Sequence, residues 1–180
     1  MNKFFTSDLH FGHENVIKYS NRPFFSKEEM DEILIQNWNS IIREKDEVFI
    51  LGDLFFCKEE ESIRIIKRLK GVKYLIYGNH DVIIRKKESI QKYFSKILPE
   101  LHHQNIDGIH TVMSHYPLLT WNKSHYGSFM LHGHCHGNIL FDEKIRRLDV
   151  GVDTNNYFPY NWEDIKKKLN NVPLPILEKN

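Results

Sequence analysis

The 180-residue sequence predicts a single α/β domain over residues 1–180. Short apolar runs of strand length alternate with segments whose apolar residues recur at helical spacing. Each apolar run also stops at polar residues, as strands do when their carboxyl ends face a ligand site. The chain has the length of one ordinary domain and contains no internal repeat or Gly/Ser linker, so no second domain is expected.

Three helices are predicted from apolar periodicity and capping residues. The first covers residues 27–43, with Ser26 as its N-cap and Glu29 completing a capping box. The second covers residues 59–70 and ends before a glycine, which is a common helix stop. The third begins after Asn161. The apolar stripe of each helix is expected to pack on a sheet.

Five strands are predicted, with the sequences KFFT, EVFIL, VKYLIY, IHTVM and SFML. The polar residues that follow them read, in chain order, SDLH, GD, GNHD, SH and HGHCH. Because ligands bind beyond the carboxyl ends of strands in open α/β sheets, these five ends are expected to converge on one site. The chemically capable side chains at the five ends are Asp8, His10, Asp53, Asn79, His80, His115, His134 and His136.

Apart from His80, these side chains form a set of seven metal ligands, with two carboxylates, one carboxamide and four imidazoles. Seven ligands exceed the needs of one tetrahedral ion and suit two divalent cations that share a carboxylate. Oxygen and imidazole ligation without thiolate fits manganese, iron, zinc or nickel, and the ligand types do not choose among them. Manganese is our first expectation.

The order of the motifs DLH, GD, GNHD, SH and GHCH resembles that of the calcineurin-like metallophosphoesterases. The resemblance runs from Asp8 to His136, about three quarters of the chain. It implies a four-layer α/β/β/α sandwich, in which two mixed sheets lie face to face with helices outside.

The resemblance also implies a role for each motif residue. It assigns Asp8, His10 and His136 to a first metal, Asn79, His115 and His134 to a second, and Asp53 to both. His80 takes the place of the proton donor to the leaving group. These roles predict in-line attack on phosphorus by a hydroxide that bridges the two metals.

One motif departs from the family pattern. Phosphatase branches often read GDxxD, where the later acid orients the catalytic histidine, whereas this chain reads GDLFF and has Phe56 there. Asp81 is one substitute for the orienting acid. The departure argues against protein phosphatase activity.

Two loops near the motifs carry further candidates. Asn15 and Arg22 follow the first motif, and Arg22 suits either a bidentate contact with phosphate or an ion pair. The loop YPLLTWNKSHYG brings aromatic side chains that suit either stacking on a nucleotide base or core packing. In the last motif, His132 is expected to support the site through a hydrogen bond, and Cys135 to face away from it.

The composition limits the partners. The chain has 25 basic and 24 acidic side chains, so neither a nucleic-acid polymer nor a membrane is indicated as a partner. Two cysteines and the lack of a long apolar run predict a cytoplasmic protein, and no feature indicates its oligomeric state.

The predicted function is hydrolysis of small phosphodiesters, including nucleotide-derived ones. The alternatives are a phosphomonoesterase with the same site and a non-catalytic protein-binding scaffold.

Overall fold

The computed structural model describes residues 1–174, which form two β-sheets with helices packed against them. The strands are short, and most of them end close to the residues that the sequence marks as polar. In chain order they are β1 (Lys3–Thr6), β2 (Glu47–Ile50), β3 (Val72–Leu75), β4 (Lys96–Ile97), β5 (Leu101–Ile106), β6 (Ile109–Ser114), β7 (Phe129–His132), β8 (Arg147–Asp149) and β9 (Tyr160–Asn161).

Both sheets are mixed. The first has the order β4-β3-β2-β1-β9, with β1 to β4 parallel and β9 antiparallel to β1. The second has the order β5-β6-β7-β8, with β5 antiparallel to β6 and the other pairs parallel. The predicted pair of mixed sheets with flanking helices is therefore confirmed.

Six α-helices accompany the sheets within residues 1–174, and none of them is long and apolar enough to cross a membrane. Their bounds are α1 (Glu14–Tyr19), α2 (Lys27–Ile41), α3 (Glu59–Ile66), α4 (Val82–Lys86), α5 (Glu88–Gln91) and α6 (Trp162–Asn170). The cytoplasmic location and the single domain over residues 1–180 stay predictions, and residues 175–180 lie outside the described part of the chain.

The N-terminus of α2 forms as its capping residues predict, with one shift. The Ser26 hydroxyl accepts a hydrogen bond from the Glu29 backbone N–H at 3.1 Å. The Glu29 carboxylate accepts the N–H of Phe25 at 2.6 Å, one residue before the N-cap. The two bonds satisfy donors that a helix start leaves unpaired, and they fix where α2 begins.

The second predicted helix is four residues too long. α3 ends at Ile66, and the backbone N–H groups of Arg68 and Leu69 bond to carbonyls three residues back. The chain thus tightens into turns before Gly71, whose φ of +90° suits glycine.

Two apolar clusters hold the layers together. One lies between the first sheet and the helices that precede β4, with Trp38 of α2 among its fully buried side chains. The other lies between the two sheets, where the Trp162 ring packs 5.5 Å from Phe5 and 5.9 Å from Phe129, measured between ring centroids. Trp162 therefore joins α6 to both sheets.

All five predicted strands are present, and four further strands were not predicted. β4, β8 and β9 have only two or three residues, which is too short for a pattern. β5 has the polar sequence LHHQNI and lies at a sheet edge, so its side chains alternate between solvent and partial burial. Pairing with β6, and not apolar content, makes this segment a strand.

Candidate metal centre

The carboxyl ends of strands from both sheets meet at one edge. Backbone hydrogen bonds join the loops after the strands: Asp8 N–H donates to Gly52 O at 3.0 Å, and Gly133 N–H donates to His115 O at 3.0 Å. An isolated bridge between Ser7 and Gly151 ties the first sheet to the second. The predicted convergence therefore occurs, although the motifs lie far apart in the sequence.

Gly133 allows this close approach. A Cβ atom placed on Gly133 would lie 2.5 Å from Asp8 Oδ2 and would also overlap Ser7. Any side chain at this position would therefore push the last motif away from the first.

Five predicted ligands have a left-handed backbone. The φ angles of Asp8, His10, Asp53, His134 and His136 lie between 48° and 70°. Non-glycine residues adopt this conformation at a cost, and such outliers concentrate at functional sites. The surrounding loop contacts hold the five side chains in orientations that a relaxed backbone would not give.

A first ligand group consists of Asp8, His10 and His136, whose ligand atoms all lie within 4.8 Å of one another. His136 Nε2 is 3.9 Å from Asp8 Oδ1, and the rings of His10 and His136 stack with centroids 5.2 Å apart. Asp8 is completely buried and His10 is 2% exposed.

A second group consists of Asp53, His115 and His134, again within 4.8 Å. Asn79 belongs to this side, because its Oδ1 lies 2.9 Å from His115 Nε2 and 3.1 Å from His134 Nδ1. The backbone N–H of His134 also donates to Asp8 Oδ2 at 2.9 Å, which links the two groups.

Asp53 lies between the groups. Its Oδ2 is 3.7 Å from His10 Nε2 and 3.5 Å from His115 Nε2. Its Oδ1 accepts the backbone N–H of His80 at 2.8 Å. One carboxylate oxygen thus faces both ligand groups, as a bridging ligand would.

The residues present fit divalent cations. Within residues 1–174, the buried atoms Asp8 Oδ1 and His10 Nδ1 have no hydrogen-bond partner. His115 Nδ1 donates to Leu51 O at 2.8 Å, so Nε2, 2.9 Å from Asn79 Oδ1, is the atom placed to bind a cation once it gives up its proton. A cation would pair with these buried oxygen and nitrogen atoms.

The pKa values of the predicted ligands also favour a bound cation. Burial raises the pKa of Asp8 from 3.8 to about 7, a cost that a bound cation would remove. Burial lowers the pKa of His10 to about 2, so its ring is neutral, which is the form that binds metals. Burial alone would raise the pKa of Asp53, but hydrogen bonding with His115 and its charge outweigh burial and lower it to about 2.

Asp153 was not predicted, yet it orients a predicted ligand. Its Oδ2 lies 2.8 Å from His136 Nδ1, so Nδ1–H is held and Nε2 faces Asp8. Its sequence signal is weak: Asp153 follows the short β8 in the segment LDVGVD, an apolar run ending in an acid.

Arg22 forms an ion pair, which is one of the two contacts that its place in the sequence suits; a contact with phosphate stays a prediction. The Arg22 guanidinium pairs with Asp153 and donates to the carbonyl oxygens of Asp8 and Leu9 at 2.7 and 3.1 Å. It also approaches the sulfur of Met30 at 3.4 Å, so all five of its N–H groups face protein atoms. Arg22 therefore supports the loop of the first motif from inside the protein.

His80 is exposed at the edge of the centre, and Asp81 does not orient it as suggested. Asp81 is completely buried, and its carboxylate accepts backbone N–H groups from Asp53, Leu54 and Gly78. Phe56 instead packs edge-on against the His80 ring, with centroids 5.5 Å apart.

The remaining predicted residues lie around this centre. Asn15 is exposed on α1, and its contact with substrate stays a prediction. His132 makes the expected supporting hydrogen bond, from Nδ1 to Gly133 O at 2.9 Å. Cys135 is half-buried behind the turn, and burial raises the pKa of its thiol to about 11. His13 stacks on Phe56 at 3.9 Å and adds an aromatic surface beside His80.

Two mixed sheets that carry a converged carboxylate, amide and imidazole set define the class of metal-dependent phosphoesterases. The sequence profile of calcineurin-like phosphoesterases matches residues 1–177, and the chain belongs to this family.

Two relatives of similar length align along most of the chain. The uncharacterized protein MJ1445 of Methanocaldococcus jannaschii is 35% identical over 170 residues, covering 91% of this chain and 88% of that protein. The gene 66 protein of Mycobacterium phage L5 is 28% identical over 180 residues, covering 84% and 86%. Among solved structures, the protein of unknown function AQ665 from Aquifex aeolicus superimposes with a TM-score of 0.71 and 26% identity, over 92% of this chain and 98% of that one.

Proposed function

We propose that this phosphoesterase hydrolyses small phosphodiesters at a centre of two divalent cations. The position of Asp53 Oδ2, within 4 Å of a histidine from each ligand group, carries the proposal. Asp8, His10 and His136 would hold one cation, and Asn79, His115 and His134 the other. Manganese is the first cation to test, because oxygen and imidazole ligands suit it.

Each part of the centre has a task in the reaction. When bound, two divalent cations would supply positive charge opposite the phosphoryl oxygens and a hydrolytic nucleophile near neutral pH. Asp53 would hold the spacing between the two ligand groups. In-line attack on phosphorus is the expected course, since the leaving group then departs on the side away from attack.

His80 is the proposed proton donor to the leaving group. Its backbone N–H is anchored on Asp53 Oδ1, while its ring lies 5.5 Å from the His10 ring and is open to solvent. An imidazole at this position suits proton transfer to a departing alkoxide.

The surfaces that flank the centre support a diester. On the side of the first ligand group, the stacked rings of His13 and Phe56 suit one organic substituent. On the side of the second group, a groove is lined by Tyr77, Arg85 and Tyr116, among others. A substrate with an organic group on each side of phosphorus would use both surfaces, and aromatic rings suit nucleotide-derived groups.

A phosphomonoesterase is the alternative enzyme, since a monoester would use the same ligands and His80. A non-catalytic scaffold is a further alternative, but the complete set of predicted ligands argues against it. The near-neutral net charge of +1 also argues against a nucleic-acid polymer as the substrate.

The test begins with protein stripped by a chelator and reloaded with manganese, zinc or nickel. Hydrolysis of a bis-aryl phosphodiester is compared with that of the corresponding aryl monoester. We expect metal-dependent turnover with preference for the diester. A preference for the monoester would support the alternative enzyme, and inactivity of the reloaded protein on both esters would overturn the proposal.

Leaving-group dependence tests the proton donor. His80→Ala should lower hydrolysis of an alkyl ester by about 10²–10⁴-fold and affect an aryl ester much less, since an aryl oxide needs little proton transfer. His103→Ala is the matched control, because His103 is an exposed histidine on β5. An equal loss on both esters would contradict the role of His80.

A further inference from the structure

A third group of metal-ligating side chains lies behind the last motif. A ring nitrogen of His132, the Cys135 sulfur and a carboxylate oxygen of Asp149 all lie within 4.8 Å of one another. The sheet brings two of them together, because β7 and β8 are parallel neighbours and their register pairs His132 with Asp149. Cys135 joins them from the turn that carries His134 and His136.

The hydrogen bonds of this group leave electron pairs without donors. His132 is 2% exposed, and its Nδ1–H is held by Gly133 O at 2.9 Å, so the lone pair is on Nε2. The hydrogen bond of the His132 ring uses Nδ1, and Cys135 is a free cysteine. Three electron-pair donors thus gather with one thiol proton among them.

The Asp149 carboxylate is held in place. Its Oδ1 accepts the backbone N–H of Gly151 at 2.8 Å, and its Oδ2 accepts that of Gly137 at 3.1 Å. Each oxygen keeps a second lone pair, so these bonds orient the carboxylate without exhausting it. Backbone support of this kind is what orients ligands in metal sites.

We propose that His132, Cys135 and Asp149 bind a third divalent cation of the zinc type, separate from the two-metal centre. Nitrogen, sulfur and carboxylate oxygen are the ligands that zinc takes, and thiolate favours zinc over manganese. The fourth position would hold water, since His132 and Asp149 line a groove that Ile139 and Phe141 also border. The cation would hold the turn that presents His134 and His136.

The charges of the three side chains allow a third cation to bind beside the two proposed ones. A dication deprotonates a coordinating thiol, so one thiolate and one carboxylate neutralise it by formal counting. The site therefore adds no net charge beside the predicted pair. The proposed two-metal centre has no thiolate ligand, so a spectroscopic signal from a metal–thiolate bond would come from the third site.

Cobalt tests the site independently of phosphoester hydrolysis. Titration of the metal-free protein with Co²⁺ should produce a thiolate-to-cobalt charge-transfer band in the near ultraviolet, with up to three cobalt ions bound per chain. Cys135→Ser should lose the band and one bound ion. Cys57→Ser is the matched control and should keep both, because Cys57 lies elsewhere, against Ser62 at 3.3 Å. His132→Gln should weaken the band.

A second measurement, cysteine alkylation, uses only the wild-type protein and therefore does not depend on whether the variants fold. In the wild-type protein, zinc should slow alkylation of Cys135 strongly, whereas manganese should slow it little. Alkylation of Cys57 serves as the internal reference. Any of three results would overturn the third site. The cobalt-loaded wild-type protein could lack the charge-transfer band, or the band could survive in Cys135→Ser. Alkylation of Cys135 could also proceed equally fast with zinc and without metal. Each result is independent of whether the two-metal centre hydrolyses phosphoesters.

Discussion

Arg22 and Asp153 form a bidentate ion pair inside the protein. Arg22 Nε donates to Asp153 Oδ1 and Arg22 Nη2 to Oδ2, both at 2.7 Å, and the Arg22 side chain is completely shielded from solvent. Because Asp153 also contacts His136 Nδ1, the pair connects the loop of the first motif with a predicted ligand in the last motif. The pair is thus a support of the first ligand group.

Asp153→Asn should weaken metal binding at the first ligand group. The change removes the charge that holds Nδ1–H of His136, and loss of such a partner lowers metal affinity by about 10–100-fold. It also leaves the Arg22 charge unpaired, which we expect to lower the free energy of unfolding by about 3–5 kcal/mol. Competition with a chelator measures affinity, and urea unfolding measures stability.

Asp164→Asn is the control for this substitution, since Asp164 is exposed on α6. It should leave both quantities close to wild type. Unchanged metal affinity in folded Asp153→Asn protein would show that His136 does not depend on this partner.

Phe56→Ala should reduce turnover selectively. Phe56 packs against both the His80 and His13 rings, so its removal frees the proposed proton donor to rotate. We expect kcat for an alkyl ester to fall by about tenfold and kcat for an aryl ester to change little, because only the alkyl ester needs a well-placed proton donor. Steady-state kinetics on the two esters provide the measurement.

Phe25→Ala is the matched control, because the Phe25 side chain is 99% exposed. Its kinetics should match those of wild type on both esters. If Phe56→Ala slowed both esters equally, the ring would act on binding or folding and not through His80.

Gly133→Ala should disrupt the centre. The added methyl group would overlap Ser7 and Asp8, so the last motif must move away from the first. We expect loss of metal binding at the first ligand group together with a lower melting temperature. Gly108→Ala is the comparison: no atom lies within 4 Å of its new Cβ, and its φ of +84° alone should cost about 1–2 kcal/mol. Metal binding by Gly133→Ala at wild-type affinity would contradict the close approach.

Asp31→Asn should change how stability depends on pH. Burial raises the pKa of Asp31 from 3.8 to about 7, although its carboxylate accepts the Gly12 N–H at 3.0 Å. The folded protein then keeps a proton that the unfolded chain releases, so Asp31 lowers stability progressively as pH rises from about 4 to about 7. Asparagine keeps an acceptor for Gly12 and removes this titration.

We therefore expect Asp31→Asn to be more stable than wild type at pH 8, by on the order of 1–3 kcal/mol, and similar to it near pH 4. Urea unfolding of the metal-free protein at both pH values measures the difference. Asp164→Asn should show no such divergence. Parallel pH profiles for wild type and Asp31→Asn would mean that the Asp31 pKa is not raised.

Much of the fold and centre can be predicted because their signals are local. The N-cap of α2 at Ser26 and the start of α6 after Asn161 follow from residues a few positions apart. The ends of five apolar runs mark every predicted ligand, since a strand that enters a site must end in the groups the site uses. β5 escapes prediction because it is defined by its partner strand and not by its own side chains.

The sequence by itself determined the class of the protein, the types of its predicted ligands and their order along the chain, because these depend on residue chemistry next to strand ends. Only the tertiary structure decided which side chains support them. Arg22 and Asp153 are 131 positions apart, and His132 meets Asp149 through strand register. Such contacts depend on how the sheets pack and on which buried charges must be paired. A local sequence pattern predicts neither of these.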